Sequence, residues 1–341
     1  MNESRGLHLR TIRWKNPKFL LVPLFLAMVI LISFSYHSSI KSYNIIIEPS
    51  TETTTMQPTS PNSTANLPKP TVPLYPYHIE EASRCKGEVP LLMLLIPSVP
   101  QDVVIRDTVR KTWANESLIP GISIKRVFLL GIPSNNETQV AVEQESSVFH
   151  DIVQQDFMDT YHNLTLKTLM GLEWVSRFCP QAKYVMKIDT DMFFNPWFLV
   201  RNILEPDKPT KVGFITGQVI IGASPFRDPN NKWYIPVSLY PENQYPVYCS
   251  GTGYVFSNDL SSRIYNVGVE IPIFPFEDVF VGMCVKKLGM EFSRQGGYYF
   301  SQYRLQYNGC HFTKMVTVHQ YSSEDLVKLW PDFLKAMETC T

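Results

Sequence analysis

The chain has no surplus of charge of either sign, because its 31 lysine and arginine residues equal its 31 aspartate and glutamate residues. A general nucleic-acid binder carries a basic excess, so this balance argues against nucleic acid as a partner. The balance does not bear on a small anionic ligand that is held through a metal ion. The 341 residues, 44% of them hydrophobic, are enough for one large domain or two smaller ones.

Several familiar motifs are also absent. None of the six cysteines stands in a CxxC or CxxH spacing, so we do not expect a zinc site. No Gly-rich phosphate loop of either standard spacing occurs, and no internal repeat is visible. These absences argue against zinc-finger, P-loop and dinucleotide-binding proteins.

One long uncharged run stands near the N-terminus, at residues 19–36 (FLLVPLFLAMVILISFSY). Its length is just sufficient to cross the hydrocarbon core of a bilayer. Residues 1–18 carry several basic side chains against the single acid Glu3, which predicts that this end stays cytoplasmic. The alternative is a cleaved signal peptide, which has a shorter apolar region and small residues at the cut. Bulky Phe34 and Tyr36 favour a retained, single-pass type II anchor.

The composition changes twice after this anchor. Residues 37–84 are rich in Thr, Ser and Pro, cannot bury enough apolar surface to fold, and predict an extended lumenal stem. Residues 85–341 have a globular composition and are predicted to form the lumenal catalytic domain. Acceptor sequons for N-glycosylation agree with a lumenal location and stand at Asn62, Asn115, Asn136 and Asn163.

All six cysteines lie beyond the anchor. An oxidising compartment makes disulfides the default state of such residues. Spacing alone does not determine their pairing, and the candidate pairs are Cys85 with Cys179 and Cys284 with Cys310.

Short apolar runs alternate with helical patterns in the globular region. Strands are predicted at residues 90–99, 125–131, 183–188 and 214–222, and helices at residues 105–113, 164–178, 259–267, 278–288 and 324–333. This alternation predicts an α/β fold with a mostly parallel central sheet.

The clearest local signal for chemistry is Asp189-Thr190-Asp191, which follows the predicted strand at residues 183–188. Ligands bind beyond the carboxyl ends of strands in open α/β sheets, and alternate residues of an extended chain point the same way. Both carboxylates can therefore approach one hard cation such as Mg²⁺ or Mn²⁺. The alternative is an ordinary turn, and the motif by itself is weak.

Glu277-Asp278 opens the predicted helix at residues 278–288. Acids at a helix start satisfy free N–H groups and the helix dipole, which needs no function. Sugar transfer with inversion needs a carboxylate that takes the proton of an acceptor hydroxyl. From chemistry alone the two interpretations are balanced.

Three further side chains are candidates. His319 precedes the helical pattern at 324–333 and becomes a third metal ligand if the chain folds back to the sheet edge. Arg106 and Arg110 share a helix face and can pair with a diphosphate, or alternatively with structural carboxylates.

Residues 248–254 (YCSGTGY) contain two glycines and predict a tight, polar turn. Gly251 and Gly253 would allow close approach of the backbone to a sugar, although an ordinary turn has the same composition.

Taken together, segments spread over residues 85–333 resemble the β-1,3-glycosyltransferases, glycosyltransferase family 31. The matching segments are residues 106–113, 128–131, 150–156, 161–168, 184–191, 248–254 and 277–282. Residues 232–236, which contain Trp233, and residues 245–257 look most like the β-1,3-galactosyltransferase branch.

The resemblance implies a GT-A type fold, a type II Golgi membrane topology, Mn²⁺ and a UDP-sugar. It places the metal on Asp189 and Asp191 and matches the family's C-terminal histidine to His319. It places the catalytic base in Glu277-Asp278, of which we favour Asp278. Many relatives carry tyrosine where this chain has Phe280, a departure that bears on acceptor choice more than on catalysis.

The function expected from this resemblance is inverting transfer of galactose from UDP-galactose to the 3-hydroxyl of a terminal GlcNAc or GalNAc. Donor-binding residues are then Arg106, Arg110, Lys187, Asp189 and Asp191. Acceptor-binding candidates are Trp233, Gly251 and Gly253. Two alternatives stay open, namely the same transfer with UDP-GlcNAc as donor and a non-catalytic Golgi sugar-binding protein. A glycoside hydrolase also uses two carboxylates but needs neither a metal nor an anchored DxD site.

Overall fold

The computed structural model describes residues 75–340. The predicted tail and anchor, most of the predicted stem, and Asn62 lie outside the described residues. Over residues 75–340, no helix combines the length and the apolar character that crossing a membrane requires.

Ten strands and eight helices make up the described part of the chain. The strands are β1 (Tyr77–Ile79), β2 (Leu92–Pro97), β3 (Ile124–Ile132), β4 (Ile152–Met158), β5 (Tyr184–Ile188), β6 (Met192–Phe194), β7 (Ile215–Ile220), β8 (Tyr248–Ser257), β9 (Phe300–Ser301) and β10 (Thr317–His319). The helices are α1 (Val103–Lys111), α2 (Asn136–Phe149), α3 (Leu164–Phe178), α4 (Pro196–Leu199), α5 (Asp259–Gly268), α6 (Glu277–Lys287), α7 (Gly309–Phe312) and α8 (Ser323–Thr339). Short 3-10 turns at Tyr161–Asn163 and Gly297–Tyr299 and a π-helical turn at Val200–Leu204 complete the set.

The main sheet has seven strands in the order β1-β4-β3-β2-β5-β8-β7. Strands β4, β3, β2 and β5 pair in parallel, whereas β1, β8 and β7 pair antiparallel with their neighbours. The α/β class is therefore confirmed, and the parallel arrangement holds for the centre of the sheet but not for its edges. The carboxyl ends of the four parallel strands meet along one edge, where ligands bind in folds of this type.

Strand β2 shows that the sheet lies between two hydrophobic cores. All six of its residues are buried. Its alternate side chains enter two different cores, with Leu92, Leu94 and Ile96 on one face and Met93 and Leu95 on the other. An unbroken apolar run is what a strand covered on both faces requires.

Two predictions about chain organisation need correction. Residues 248–254 form part of the long strand β8 rather than a tight turn. Strand β1 lies inside the segment predicted to be stem, and it pairs antiparallel with β4 at the sheet edge. The ordered fold therefore begins before residue 85.

The disulfides match one of the two candidate pairs. Cys85 is bonded to Cys179, as predicted. The pairing of Cys284 with Cys310 is wrong, because Cys310 is bonded to Cys340. Cys284 is a free, buried thiol in the middle of α6, where the core rather than a partner cysteine surrounds it.

Candidate active site

The aspartate pair lies at the carboxyl end of β5, between this strand and the short strand β6. The β6 strand belongs to a second sheet of order β6-β10-β9. Antiparallel pairing of β6 with β10 sets Met192 opposite His319. The backbone N–H of Tyr321 also donates to the carbonyl of Asp191. This small sheet folds the C-terminal histidine back to the sheet edge.

Asp191 and His319 are consequently in direct contact. Nε2 of His319 lies 3.1 Å from Oδ2 of Asp191, and Nδ1 lies 3.0 Å from the carbonyl oxygen of Gln302. When Nδ1–H donates to this carbonyl, Nε2 donates to the Asp191 carboxylate in the protonated ring and has a free lone pair in the neutral ring. The hydrogen bond to Asp191 raises the pKa of His319. Burial opposes ionisation of Asp191, but the hydrogen bond and charge of His319, a backbone hydrogen bond and the charge of Lys187 together outweigh burial and lower the pKa of Asp191.

Asp189 contacts a buried lysine of β5. Nζ of Lys187 lies 2.7 Å from Oδ1 of Asp189 and 2.9 Å from Oε1 of Glu277, and it also donates to the carbonyl of Gly251. The lysine side chain is 3% exposed. Burial opposes its charge, but the two carboxylates outweigh burial and raise the pKa of Lys187 well above its usual range.

Glu277 is fully engaged as the first residue of α6. Oε2 accepts hydrogen bonds of 3.2 Å from Thr168 Oγ1 and from Tyr254 OH. Oε1 forms the ion pair with Lys187, although the two groups are not aligned as a hydrogen bond. Burial raises the pKa of Glu277, and the lysine opposes that effect. These contacts make Glu277 a buried positioning group.

Asp278 has a different environment although it is the next residue. Its carboxylate accepts hydrogen bonds from the backbone N–H groups of Gly251, at 3.1 Å, and Val279, at 2.8 Å. The residue is half-buried. Burial raises the pKa of Asp278, and the two backbone donors partly offset this. A half-buried carboxylate that is oriented by backbone amides can accept a proton from a bound hydroxyl.

Gly251 explains why this part of β8 carries glycine. A Cβ atom at Gly251 would lie 3.0 Å from Oε1 of Glu277 and 3.4 Å from Oδ2 of Asp278. The close approach expected of the glycines is therefore made to the acid pair. Gly253 is buried, and a Cβ there would contact Met186 and Ile188 in the core, so its position does not favour a contact with an acceptor.

The two arginines of α1 contact structural carboxylates. The guanidinium of Arg106 donates five hydrogen bonds, to both carboxylate oxygens of Glu145 (2.9 and 2.6 Å), to Ser98 Oγ (3.2 Å) and to the carbonyls of Val99 (2.6 Å) and Pro100 (3.0 Å). An arginine has five N–H donors, so none remains for a phosphate.

Arg110 donates to both oxygens of Asp151, at 2.9 and 2.7 Å, and its Nη1 lies 2.7 Å from Glu145. Both arginine side chains are buried. These contacts favour the alternative of structural ion pairs over the donor-binding role expected of both residues.

The structure adds a buried pair that we did not predict. Nζ of Lys167 lies 2.9 Å from both carboxylate oxygens of Asp159 and 2.6 Å from the carbonyl of Ser98. Burial lowers the pKa of this lysine, against the effect of Asp159. Ser98 and Asp159 follow β2 and β4, so the pair lies at the same sheet edge as Asp189. A charged residue within the apolar pattern of α3 was the only sequence signal for it.

The remaining predicted residues lie at the surface. Trp233 is 47% exposed in the long loop between β7 and β8. Asn136 is exposed, and Asn115 is half-buried. Asn163 is half-buried, and its Nδ2 donates to the carbonyl of Met158.

The residues present fit a divalent cation that is completed by its substrate. Over residues 75–340, no cluster of three or more His, Cys, Asp or Glu side chains is arranged to hold a metal. Asp191 and His319 offer one oxygen and one nitrogen side by side, whereas Lys187 engages Asp189. Mg²⁺ and Mn²⁺ commonly use one or two carboxylates together with water and substrate phosphates. Binding requires His319 to release its proton.

Comparison with known proteins identifies related chains. The family model described as Galactosyltransferase matches residues 105–295. Mouse β-1,3-galactosyltransferase 2 is 44% identical over 259 residues, which cover 75% of this chain and 61% of that protein. Mouse β-1,3-galactosyltransferase 1 is 42% identical over 258 residues, which cover 76% of this chain and 78% of that protein. The match with β-1,3-galactosyltransferase 2 thus spans less than two thirds of that relative's length.

One solved structure that aligns with the chain is much more distant. The bifunctional glycosyltransferase WbbM aligns over 73% of this chain and 51% of its own, with 10% identity and a TM-score of 0.39. Similarity at this level carries no further inference about the chain.

Proposed function

This chain belongs to the galactosyltransferase family, and on that basis we propose that it is an inverting β-1,3-galactosyltransferase. It transfers galactose from UDP-galactose to the 3-hydroxyl of a terminal GlcNAc or GalNAc. The names of both groups of relatives favour galactose over GlcNAc as the transferred sugar. The observation that carries the proposal is the difference between the adjacent acids, because Lys187 engages Glu277 while Asp278 is held by backbone amides alone.

Asp278 acts as the general base in this proposal. Its carboxylate removes the proton of the acceptor hydroxyl as that oxygen attacks the anomeric carbon from the face opposite UDP. The N–H groups of Gly251 and Val279 orient the carboxylate, and burial raises its basicity. Glu277 is its positioning neighbour, since it fixes the start of α6 through Thr168, Tyr254 and Lys187.

Asp191 and His319 would hold Mn²⁺, whose charge stabilises the departing UDP when it is bound. Asp189 would be a further ligand, since Lys187 contacts only one of its two carboxylate oxygens. Lys187 neutralises part of the negative charge that three acids would otherwise bring close to a diphosphate.

We place the enzyme in the Golgi membrane, with a GT-A type domain in the lumen. Three features support this location: the uncharged run at residues 19–36 with its basic flank, the sequons, and the disulfide between Cys85 and Cys179.

The test is a panel of UDP-sugars with Mn²⁺ against β-GlcNAc, β-GalNAc and β-Gal glycosides. We expect UDP-galactose to be the preferred donor and a β-GlcNAc or β-GalNAc glycoside the preferred acceptor. Preference for UDP-GlcNAc would show that the protein is a β-1,3-N-acetylglucosaminyltransferase instead. Absence of transfer with every donor, in a protein that still binds glycans, would leave a sugar-binding role.

Asp278→Asn tests the base in the same assay. We expect transfer to be lost while UDP binding with Mn²⁺ is retained, because the amide keeps the shape of the carboxylate but not its basicity. Asp207→Asn, an exposed acid outside the site, is the matched control and should retain full activity. Normal turnover of Asp278→Asn would refute the assignment.

A further inference from the structure

The loop of residues 221–247 between β7 and β8 is long and contains no helix or named strand. A single bridge between Phe226 and Tyr234 is its one piece of regular pairing. Long loops of this kind inside a domain usually serve a function. Such a loop needs internal contacts to hold one conformation.

Arg227 supplies these contacts. Its Nη1 donates to the carbonyl of Ile235, and its Nη2 donates to the carbonyls of Tyr240 and Glu242, each at 2.8 Å. One guanidinium thereby binds three carbonyls that lie eight, thirteen and fifteen positions after Arg227 in the chain. The planar fork of arginine makes such fixed, divergent contacts, whereas the point charge of lysine does not.

The inner part of the loop packs beside the acid pair. The rings of Tyr240 and Tyr245 contact Phe274, with centroids 5.7 and 5.9 Å away. Phe274 lies three residues before Glu277, and its carbonyl accepts a hydrogen bond from Thr165 of α3. The hydroxyl of Tyr245 is buried and has no hydrogen-bond partner within residues 75–340. Movement of this loop would therefore act on the segment that leads to Asp278.

The outer part of the loop exposes aromatic rings. Phe226 and Trp233 lie side by side with centroids 5.9 Å apart, and they are 48% and 47% exposed. Nζ of Lys232 lies 5.7 Å from the ring centre of Trp233 and 4.9 Å from that of Tyr161. Tyr161, itself 46% exposed, precedes α3, whose Thr165 and Thr168 bond to the segment of the acid pair. Tyr161 thus lies four and seven positions before the two residues of α3 that bond to the segment of the acid pair.

We propose that Phe226, Trp233 and Tyr161 form a saccharide-binding surface for the acceptor, and that Arg227 is the positioning residue of this surface. The C–H face of a β-linked hexosamine packs against the aromatic rings, and Nζ of Lys232 donates to its hydroxyls. This inference rests on the proposed function, because it concerns the acceptor side of the same reaction.

The test measures acceptor binding without a donor. Binding of the methyl β-glycosides of GlcNAc and GalNAc to the folded catalytic domain is followed by saturation-transfer NMR. We expect Trp233→Ala and Arg227→Ala each to weaken binding about tenfold, since one aromatic contact is worth about that factor. In transfer assays the acceptor KM should rise while the donor KM and the affinity for UDP with Mn²⁺ stay unchanged.

Arg263→Ala is the matched control, because Arg263 lies on α5 and forms an exposed ion pair with Asp259. Arg227→Lys should restore little of the binding, since one ammonium cannot reach all three carbonyls. If Arg227→Ala does not fold, Trp233→Ala tests the surface alone, because it removes an exposed ring and leaves the hydrogen bonds of Arg227 in place.

The two proposals can fail separately. A wild-type protein that transfers no galactose but binds the glycosides, with weaker binding in Trp233→Ala, contradicts the proposed function and supports the saccharide-binding surface. A wild-type protein that transfers galactose, with acceptor KM unchanged in Trp233→Ala and Arg227→Ala, overturns the surface. Equal changes of donor KM and acceptor KM would also overturn it.

Discussion

Oδ2 of Asp191 lies 3.1 Å from Nε2 of His319, although 128 positions of the chain separate the two residues. The contact depends on the three-residue pairing of β6 with β10. Because the other ring nitrogen faces the carbonyl of Gln302, the nitrogen at the sheet edge is the one free to bind a cation.

The first prediction concerns this contact. His319→Ala should lower the affinity for Mn²⁺ in the presence of UDP, because one of the two adjacent donors is removed. Loss of a ligand should exceed the roughly 10–100-fold effect typical of an outer-shell partner. Titration of Mn²⁺ by electron paramagnetic resonance measures it directly, without relying on turnover. His311→Ala, which removes an exposed histidine of α7, is the control. Unchanged Mn²⁺ affinity in His319→Ala would remove this residue from the metal site.

The second prediction concerns the buried lysine between Asp189 and Glu277. Lys187→Met should destabilise the domain by about 3–5 kcal/mol, because two carboxylates would lose their shared buried cation. Urea unfolding measures the change in the free energy of unfolding. Lys187→Met combined with Glu277→Gln should recover part of the loss, since the double variant buries less uncompensated charge. A single variant as stable as wild type would show that Lys187 does not hold the acids together.

The third prediction separates a structural role of Arg106 from a donor-binding role. Arg106→Met should cost about 3–5 kcal/mol of stability, because buried Glu145 keeps only Arg110 and three acceptors of the 98–100 loop lose their donor. The donor KM of the folded fraction, measured at low temperature, should change little. A variant of normal stability with a large increase in donor KM would instead support contact with the diphosphate.

Apolar periodicity predicted many of the helices and strands but missed α2 and the largely buried strand β4. Helix α3 was predicted at residues 164–178 and begins and ends at those residues, since its apolar side chains recur at helical spacing. Strand β8 was predicted as a turn, because the conformational freedom of Gly251 and Gly253 outweighed the alternation around them. Those glycines are needed for close contact with neighbouring groups, and a tertiary contact of this kind leaves no periodic signal.

The sequence predicted which residues form the site, but it did not predict the contacts between them. Asp189, Asp191, Asp278 and His319 were all selected from motifs, and the structure brings them to one sheet edge. The difference between Glu277 and Asp278 depends on which of them Lys187 reaches, and that depends on the register of β5 against β8. The pairing of Arg106 with Glu145 likewise depends on how α1 packs on α2, which no local pattern encodes.

The last prediction concerns pH. Burial raises the pKa of Asp278 above the usual value of an aspartate, about 3.9. The base works only when it is ionised. The value of kcat should therefore reach its maximum above this raised pKa and should fall as the pH drops through it. The acid limb of kcat at saturating substrates and Mn²⁺ should therefore lie above pH ~4. A limb that arises from His319 would move with the Mn²⁺ concentration, because metal competes with its proton, whereas the limb of Asp278 would not. A limb at the ordinary aspartate value, or one that shifts with Mn²⁺, would contradict the assignment of Asp278 as the group that takes up the acceptor proton.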